Sequence, residues 1–491
     1  MVVDESRLPV IVAVGQAVER AERVGAIDLA ERASVAALRE APGIDRHIGR
    51  VSVVNILTRV GPSPARRLAR RLRLDDVTTE VSTIGGNTPP WLVGRAASDI
   101  AAGRIDAVLI AGSEAQRSQN APAPSLRTPT PEPHEDLPPD VVVGDDRLGI
   151  HPLEMAAGLV VPTQIYPLFE SVLAHRAGRT FAEQREWLGE LMAPFTEVAA
   201  KNPYAWFPEP ASPQDISSVS RTNRLIAEPY TKRMNAMVVV DQAAALVVCS
   251  LAVARELGLD GQAVFLWSGA SVNDVWHVCE RPDLGRTPGI AAALGGALDA
   301  ARCGIDDIGL IDLYSCFPCA VQMGAQAGGI DLDDRRGLTV AGGLPYFGGA
   351  GNNYAGHALA TTIERLRERG GLGLVTGLGW FVTKHSALVV GADPSPEGWR
   401  LADTTAEQAA IDESALPVLP TASGPGTVVA VSVQFDKHGS ASSAPAVVAL
   451  PDGRRVVATC NPDDVASMAG RNVVGCPVEL TAGQPPTWRT V

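Results

Sequence analysis

Two stretches of the sequence, about 260 residues apart, follow the same order of features. Residues 85–112 (GGNTPPWLVGRAASDIAAGRIDAVLIAG) and residues 348–377 (GGAGNNYAGHALATTIERLRERGGLGLVTG) each run from a glycine pair through a helix-like segment and a further glycine to an apolar run. A shorter echo links residues 36–55 to 297–315, where a Gly-Ile-Asp turn precedes a hydrophobic strand. The repetition predicts a duplicated α/β unit whose halves face each other; chance similarity between common α/β patterns is the alternative.

Helix-end residues and apolar strands support both copies of the longer repeat. Thr88 is expected to cap the first helix, with Gly103 just past its end. Asn352 or Asn353 is expected to cap the second helix, and Gly370 to end it. The following runs, DAVLIAG and LGLVTG, lack polar alternation, which predicts strands buried on both faces in a sheet covered by helices.

The segments between and after the two halves have different residue patterns. Residues 121–140 contain seven prolines and begin an insertion that is expected to cover the site. After Pro394 and Pro396, short alternating runs and turns predict a small separate β domain, and we expect residues 1–393 to fold without it. The predicted divisions are a first half at 1–118 plus 228–265, a loop domain at 119–227, a second half at 266–393, a linker at 394–404 and the β domain at 405–491.

Charge and cysteine usage exclude several classes of partner. The net charge of −13 would repel phosphate backbones, so neither nucleic acid nor an anionic membrane is expected as a main partner. The longest apolar stretch is interrupted by Asp241 and Gln242, which predicts core segments and no membrane span. Asp4 and Glu5 stand where an export signal needs positive charge, which favours a cytoplasmic location. Residues 316–319 (CFPC) match the CxxC spacing, but no second pair is nearby, so no metal site is predicted.

Taken together, the two halves, the insertion and two longer segments resemble the thiolase superfamily, in particular its sterol-carrier-type branch, over residues 1 to about 395. The two segments are GRIDAVLIAGSEA and EPYTKRMNAMVVVDQAAALVV. The resemblance implies two βαβαβαββ halves with helices buried between two mixed sheets, to which a C-terminal β-barrel or OB-like domain is added. It also implies a protein that binds acyl-coenzyme A and transfers the acyl group through a cysteine thioester.

The first two catalytic loops depart from the family pattern. The nucleophilic cysteine of the family falls on Gly85 in VSTIGGNT, so covalent acyl transfer by this loop is not expected. The second loop reads Tyr314-Ser315-Cys316-Phe317, in which a family histidine has become tyrosine. Cys316 stands where relatives keep an acid/base thiol; a small buried side chain is the alternative reading of this residue.

The third and fourth loops have also changed. The family histidine of the third loop falls near Gly349, while His357 comes later, inside the helix, either facing the pocket or satisfied by packing. Thr376 or Gly377 replaces the cysteine of the fourth loop, and nearby Lys384 and His385 are expected either to serve a diphosphate or to face solvent. The resulting catalytic candidates are Tyr314, Cys316 and His357, and the ligand-binding candidates are Gly85, Gly86, Gly348, Gly349, Asn353 and His385.

The residues therefore leave more than one function open. The first hypothesis is a protein of lipid metabolism that binds coenzyme A or acyl-CoA non-covalently, nominally an acetyl-CoA acetyltransferase but without classical thiolase activity. The alternative is a retro-aldol lyase acting on a β-hydroxyacyl-CoA through Tyr314, Tyr346 and Tyr354, with the C-terminal domain as a fused OB-fold partner. A non-catalytic scaffold or carrier is the third hypothesis. Because the family dimerises through the strand before the nucleophile loop and this chain has an added domain, both a monomer and a homodimer are expected possibilities.

Overall fold

The computed structural model of the protein describes residues 4–120 and 137–491, and its first part builds one half of the duplicated unit. The strands here are Pro9–Val18 (β1), Ile48–Val53 (β2), Thr78–Ser82 (β3) and Ala107–Ala115 (β4). The helices are Ala26–Glu40 (α1), Pro64–Arg71 (α2), Thr88–Ala101 (α3) and Gln116–Asn120 (α4). All nine residues of β4 are buried, as its lack of polar alternation predicts.

The insertion is mainly helical where it is described. The predicted proline-rich stretch lies outside the described residues over 121–136. The remaining strands are Val141–Val143 (β5), Leu225–Ala227 (β6) and Tyr230–Thr231 (β7). The helices are Pro152–Ala156 (α5), Pro162–Arg176 (α6), Phe181–Ala200 (α7) and Pro213–Ser217 (α8). Over residues 4–120 and 137–491, no helix has the length and apolar character that crossing a membrane requires.

The chain then completes the first half and builds the second. The strands are Asp241–Ser250 (β8), Val264–Asn273 (β9), Ile308–Asp312 (β10), Leu372–Gly379 (β11) and Lys384–Gly391 (β12). The helices are Leu251–Glu256 (α9), Pro288–Ala301 (α10), Pro318–Gly328 (α11) and Tyr354–Arg369 (α12). All eight residues of β12 are buried, so this half also has a sheet covered on both faces.

The two halves share one hydrogen-bonded strand path, in the order β10-β11-β12-β9-β1-β8-β4-β2-β3-β5. Parallel pairs such as β2–β3 and β10–β11 stand beside antiparallel pairs such as β1–β8 and β9–β12, which confirms the predicted mixed sheets. Strands β1 and β9 join the two sheets through the residue pairs Val10 with Phe265 and Ile11 with Val264. Helices α3 and α12 pack against strands of both halves and against each other, so the loops at their N-termini approach each other.

The ends of α3 and α12 partly match the sequence predictions. Asn87, and not Thr88, is the N-cap of α3, because the Thr88 hydroxyl instead donates to the Gly85 carbonyl oxygen at 2.7 Å. Asn353 is the N-cap of α12, although its side chain makes no capping bond. Gly370 ends α12 with a φ of 72°, the conformation in which glycine is favoured after a helix.

The strand before the nucleophile loop is covered by the chain itself. Glu80, Val81 and Ser82 of β3 pair in parallel with Val141, Val142 and Val143 of β5. On its other side β3 pairs with β2. A second copy of the chain can add a strand at residues 80–82 only by displacing β5.

The C-terminal region contains a closed barrel, which confirms the predicted additional β domain. One helix, Thr405–Glu413 (α13), precedes it. The strands are Arg400–Leu401 (β13), Val418–Leu419 (β14), Gly424–Val431 (β15), Gln434–Phe435 (β16), Ala441–Ser443 (β17), Ala446–Ala449 (β18), Arg455–Cys460 (β19), Pro477–Thr481 (β20) and Thr487–Thr490 (β21). Five strands close on themselves in the order β19-β18-β15-β20-β21, because β21 pairs back to β19.

The barrel is packed onto the insertion and the second half. Phe181, the first residue of α7, belongs to the apolar core of the barrel and is fully buried. The Val431 amide of β15 donates to the Ser171 hydroxyl of α6 at 3.1 Å. The buried Arg455 side chain donates to the carbonyl oxygens of Arg281 and Pro282, the latter at 2.7 Å. The barrel therefore shares core and buried polar contacts with the elements that surround the site.

Candidate functional site

The loop that leads from β3 into α3 leaves little room for the missing nucleophile. Gly85 has a φ of 154°, and a Cβ atom added there would collide with the side-chain oxygen of Asn87. The same Cβ would lie 3.5 Å from both Cε and Nζ of Lys384. A side chain at position 85 would therefore need the Asn87 side chain to shift, and the positive φ also favours glycine there.

Lys384, the first residue of β12, ties this loop to the insertion. Its ammonium donates to the carbonyl oxygens of Ile84 at 2.8 Å and Asp145 at 3.0 Å, and to the Thr83 hydroxyl at 3.3 Å. The side chain is 4% exposed, and burial lowers its pKa below the ordinary lysine value against the opposing pull of Asp145. Because an ammonium has three donors and protein oxygens take all three, Lys384 neither faces solvent nor is free for a diphosphate.

The end of β11 packs directly on the same loop. A Cβ atom on Gly377, which stands at the cysteine position of the fourth family loop, would lie 2.7 Å from Asn87 Cα and 2.9 Å from Gly86 O. A Cβ atom on Gly379 would lie 2.9 Å from Gly85 Cα. The glycines of the two loops thus let the backbones of the two halves touch, and they leave no ligand-sized space between them.

Tyr314 reaches the nucleophile loop, as its place after β10 predicts. A Cβ atom on Gly86 would overlap the Tyr314 hydroxyl, and it would lie 2.5 Å from the Leu378 carbonyl oxygen. The Tyr314 ring meets the Tyr354 ring edge-on at a centroid distance of 5.7 Å. Burial raises the pKa of Tyr314 well above the ordinary tyrosine value. The hydroxyl is therefore neutral, and it borders a cavity of about 20 Å³, which has room for roughly one water molecule.

Cys316 is a buried thiol in this structure. Burial raises its pKa to about 12, so the thiol is protonated at neutral pH. The neighbouring Phe317 ring stacks on Tyr166 with centroids 4.1 Å apart. These surroundings favour the reading of Cys316 as a small packed side chain over that of an acid/base group.

His357 and Asn353 of the α12 region have protein partners. His357 is fully buried, its Nδ1 lies 2.8 Å from Gln16 Oε1, and burial lowers its pKa to about 3, so its ring is neutral. The Asn353 side-chain amide donates to the Gly112 carbonyl oxygen at 2.8 Å. Both side chains lie within the packing of α12 against the first half, and not beside Tyr314.

The glycine pair before α12, Gly348 and Gly349, contacts the segment around Met237 and Gln242 that leads into β8. A Cβ atom on Gly348 would collide with the Gln242 side chain. The Gly349 amide donates to the Met237 carbonyl oxygen at 2.8 Å. In this structure the two glycines therefore pack against protein groups.

His385 is held by a buried carboxylate. Its Nε2 lies 2.9 Å from Asp274 Oδ2, and Asp274 also accepts a hydrogen bond from the Thr287 hydroxyl. Burial raises the pKa of Asp274, but the bonds and charges of His385, Arg281 and Thr287 outweigh it and hold that pKa below the ordinary value. His385 is 3% exposed, so it does not face solvent.

Asn352 is the residue at this site whose role the sequence did not reveal. Its Oδ1 accepts a hydrogen bond from the Gly85 amide at 2.9 Å, and its Nδ2 donates to the Asn55 carbonyl oxygen at 2.9 Å. The Gly85 amide, one of the ligand-binding candidates, is therefore already bonded to protein. The sequence signal was the Asn pair in GAGNN, where Asn352 was considered only as a helix cap.

An open cleft lies elsewhere, between the insertion and the loop before α12. Its volume is about 430 Å³. Tyr346 lines it, and the Tyr346 hydroxyl is buried and has no hydrogen-bond partner within residues 4–120 and 137–491. The other side chains used below are the apolar Phe207 and Met237 and the charged Lys232, Arg233, Glu209 and Asp215. Lys232 and Arg233 belong to the segment EPYTKRMNAMVVVDQAAALVV, whose sequence resembles the family but did not mark the pair as a binding site.

Comparison with known proteins agrees with this architecture. No family model matches the chain, and no curated protein matches it. The crystal structure of a monomeric SCP2-thiolase like protein type 1 (STLP1) from Mycobacterium smegmatis is similar over 99% of this chain and 100% of its own, with 30% identity and a TM-score of 0.85. The chain belongs to the SCP2-thiolase-like family.

A more distant structure shares the fold of this SCP2-thiolase-like chain. An Ltp2-ChsH2(DUF35) aldolase is similar over 79% of this chain and 99% of its own, with 19% identity and a TM-score of 0.60. The candidate residues of the SCP2-thiolase-like chain form two groups. Gly85, Gly86 and Tyr314 lie together beside Lys384. The side chains of Asn353 and His357 contact the first half, and Gly348 and Gly349 contact Gln242 and Met237.

Proposed function

We propose that this SCP2-thiolase-like chain binds an acyl-coenzyme A thioester without forming a covalent acyl intermediate. Acyl transfer in a thiolase needs a thiolate, and the position of that thiolate is Gly85, which has no side chain. Cys316 does not substitute for it, because burial keeps its thiol protonated. Binding without covalent transfer is the part of the family activity that these residues leave possible.

The observation that supports binding is the cleft at Tyr346. Its volume of about 430 Å³ falls within the range of small-molecule sites, roughly 300–1,000 Å³. Phe207, Met237 and Pro345 supply apolar wall for an acyl or pantetheine chain. The Tyr346 hydroxyl is buried beside this wall with no hydrogen-bond partner among the described residues, so a small movement of the ring would offer its donor to a carbonyl oxygen.

Charges at the cleft are consistent with an anionic end of the ligand. Lys232 and Arg233 are exposed and line the cleft, in a chain whose net charge is −13. Of the two acidic groups, Asp215 has one carboxylate oxygen engaged by the amide and hydroxyl of Ser212. Arginine and lysine are the side chains that bind phosphate oxygens, so the cation pair is assigned to the phosphates of coenzyme A.

Titration calorimetry with coenzyme A and with acetoacetyl-CoA tests the proposal. We expect saturable binding that the double substitution Lys232→Ala, Arg233→Ala weakens at least tenfold. The matched control is Lys437→Ala, an exposed lysine of the barrel region that does not line the cleft, and it should bind like the wild type.

The same proposal predicts background rates of acetoacetyl-CoA thiolysis for every one of these proteins. Absence of binding to the wild type, or equal loss in the Lys437→Ala control, would contradict the assignment of the cleft. A robust wild-type thiolysis rate would contradict the non-covalent mechanism.

A second candidate is the retro-aldol lyase, which the unpartnered Tyr346 hydroxyl favours. In that reaction a base takes the proton of the β-hydroxyl, the Cα–Cβ bond breaks, and its electrons form the enolate of the shortened thioester. Burial raises the pKa of both Tyr346 and Tyr314, so each is suited to donate to a thioester carbonyl and poorly suited to act as the base. Tyr354 is engaged, because its hydroxyl accepts the Gly343 amide at 3.0 Å.

Cleavage of a β-hydroxyacyl-CoA by the wild type, measured by release of the carbonyl product, would support the lyase. Tyr346→Phe should then remove turnover while leaving affinity nearly intact, the pattern of an interaction made mainly in the transition state. The binding function is supported instead if no carbonyl product is released from a β-hydroxyacyl-CoA of any chain length. Tyr346→Phe should then weaken binding by the contribution of one hydrogen bond, roughly 0.5–1.5 kcal/mol.

A further inference from the structure

A cluster of metal-ligating side chains lies where the insertion meets the second half. His151 precedes α5, and His277 and Glu280 flank a turn after β9. The two imidazole rings meet edge-on with centroids 5.0 Å apart. One ligand atom from each of the three side chains lies within 4.8 Å of the others, and all three side chains are half-buried. The reactions considered above use none of these groups.

The cluster sits at one end of a strap, defined here as residues 145–151. At its other end the Asp145 carbonyl oxygen accepts from Lys384, the residue beside Gly85. Between the two ends, the Trp276 indole donates to the Leu148 carbonyl oxygen at 2.9 Å. Arg147 lies over the Trp276 ring, 3.8 Å from its centroid. The strap thus connects the closed loop region to the side of the molecule that carries His277.

We propose that His151, His277 and Glu280 bind one divalent transition-metal ion of the zinc class, which clamps the strap to the turn at residues 277–280. Two imidazoles and one carboxylate form a ligand set that suits zinc, with a fourth position left for water. The site is separate from the cleft and does not depend on acyl-CoA binding.

Small adjustments convert the present arrangement into a coordination sphere. Tetrahedral bonds of about 2.1 Å place ligand atoms about 3.4 Å apart, so the three side chains need to close by roughly 1 Å. His277 Nδ1 lies 2.9 Å from Glu280 Oε2, so an ion bound by Nδ1 and this carboxylate replaces the hydrogen bond between them. His151 Nδ1 accepts the Leu153 amide at 3.1 Å, a bond in the first turn of a five-residue helix that the ring gives up on turning to the metal.

Titration of the full chain with Co²⁺, followed by visible absorption, tests the site directly. We expect one Co²⁺ per chain, a spectrum of tetrahedral or five-coordinate geometry, and displacement by Zn²⁺. His151→Ala and His277→Ala should each weaken binding at least tenfold. The matched control is His47→Ala, because His47 also lies beside a carboxylate, with Nε2 3.6 Å from Glu256 Oε1, but belongs to no such three-residue group among the described residues.

Two further measurements keep the result independent of folding defects. Glu280→Gln preserves shape, and it should lower affinity while circular dichroism stays unchanged. Saturating Zn²⁺ should raise the melting temperature of the wild type and not that of the His151→Ala, His277→Ala double variant. Undiminished binding by that double variant, a thiolate charge-transfer band that indicates cysteine ligands, or no Co²⁺ uptake by the wild type would each overturn the proposal.

Discussion

Restoring a cysteine at position 85 should destabilise the protein and should not create a thiolase. The added Cβ would collide with the Asn87 side-chain oxygen, and the thiol would meet Lys384, whose Cε and Nζ lie 3.5 Å from that Cβ. Overpacking of this kind typically costs about 1–3 kcal/mol. The φ of 154° adds about 1 kcal/mol or more for a residue that is not glycine. Gly85→Cys should therefore lower the free energy of unfolding by about 2–4 kcal/mol.

A glycine with a positive φ and open surroundings separates the two contributions. Gly258 has a φ of 69°, and a Cβ atom there would meet no atom of the described residues within 4 Å. Gly258→Cys should therefore cost only the backbone contribution, about 1 kcal/mol. Urea unfolding followed by circular dichroism measures both variants against the wild type, and the difference between them gives the cost of the collision.

The thiolysis activity of Gly85→Cys is the second measurement. Even as a thiolate favoured by Lys384, the introduced side chain would lie between the Asn87 and Lys384 side chains, on a loop against which Gly379 packs closely, so we expect no space for an acyl group. Acetoacetyl-CoA thiolysis by Gly85→Cys should therefore stay at background. A Gly85→Cys protein as stable as the wild type, or one with substantial thiolysis, would show that these loops open and would refute the packing argument.

Three further predictions follow from burial. Against the expectation from the sequence, a chain ending at Asp393 should be less soluble and less stable than the whole chain, because the barrel shares an apolar core with α7. Size-exclusion chromatography measures the solubility, and the melting temperature measures the stability. Since the folded pKa of His357 is about 3, below the unfolded value near 6.5, the unfolded chain gains protons first on acidification, and stability is lost as pH falls. The wild type should lose about 2 kcal/mol relative to His357→Gln between pH 6.5 and pH 5, measured by urea unfolding at each pH. Native alkylation followed by mass spectrometry should modify the half-buried Cys303 and Cys476 before the buried Cys316; early loss of Cys316 would contradict its packed position.

The framework of the protein was predictable from the sequence because burial leaves a local pattern. The runs DAVLIAG and LGLVTG show no polar alternation, and the strands that contain them are buried on both faces. Gly370 ends α12 through a backbone conformation that the residue type itself favours. Such signals lie within a few residues of the element they describe, so a single sequence reveals them.

The state of the site was not predictable in the same way, because it depends on contacts between distant segments. A glycine pair before a helix is compatible with a ligand and equally with another backbone, and only the approach of Gly377 to Asn87 decides between them. The orientation of Lys384 was left open for the same reason. The N-cap of α3 is Asn87 and not the predicted Thr88, whose hydroxyl donates to the Gly85 carbonyl oxygen.

The bonds from Lys384 to the loop at Gly85 also set an order of events during synthesis. Lys384 and its acceptor on Ile84 are separated by 300 residues in the chain. At about 5–20 residues per second, the ribosome needs roughly 15–60 s to make the intervening chain. Throughout that interval the loop lacks its lysine, and Asn352, which binds the Gly85 amide, is made only after 267 residues of it. The first half therefore leaves the ribosome before the loop at Gly85 can form its bonds to Lys384. The loop reaches its final structure only after β12 has been synthesised and released from the ribosome.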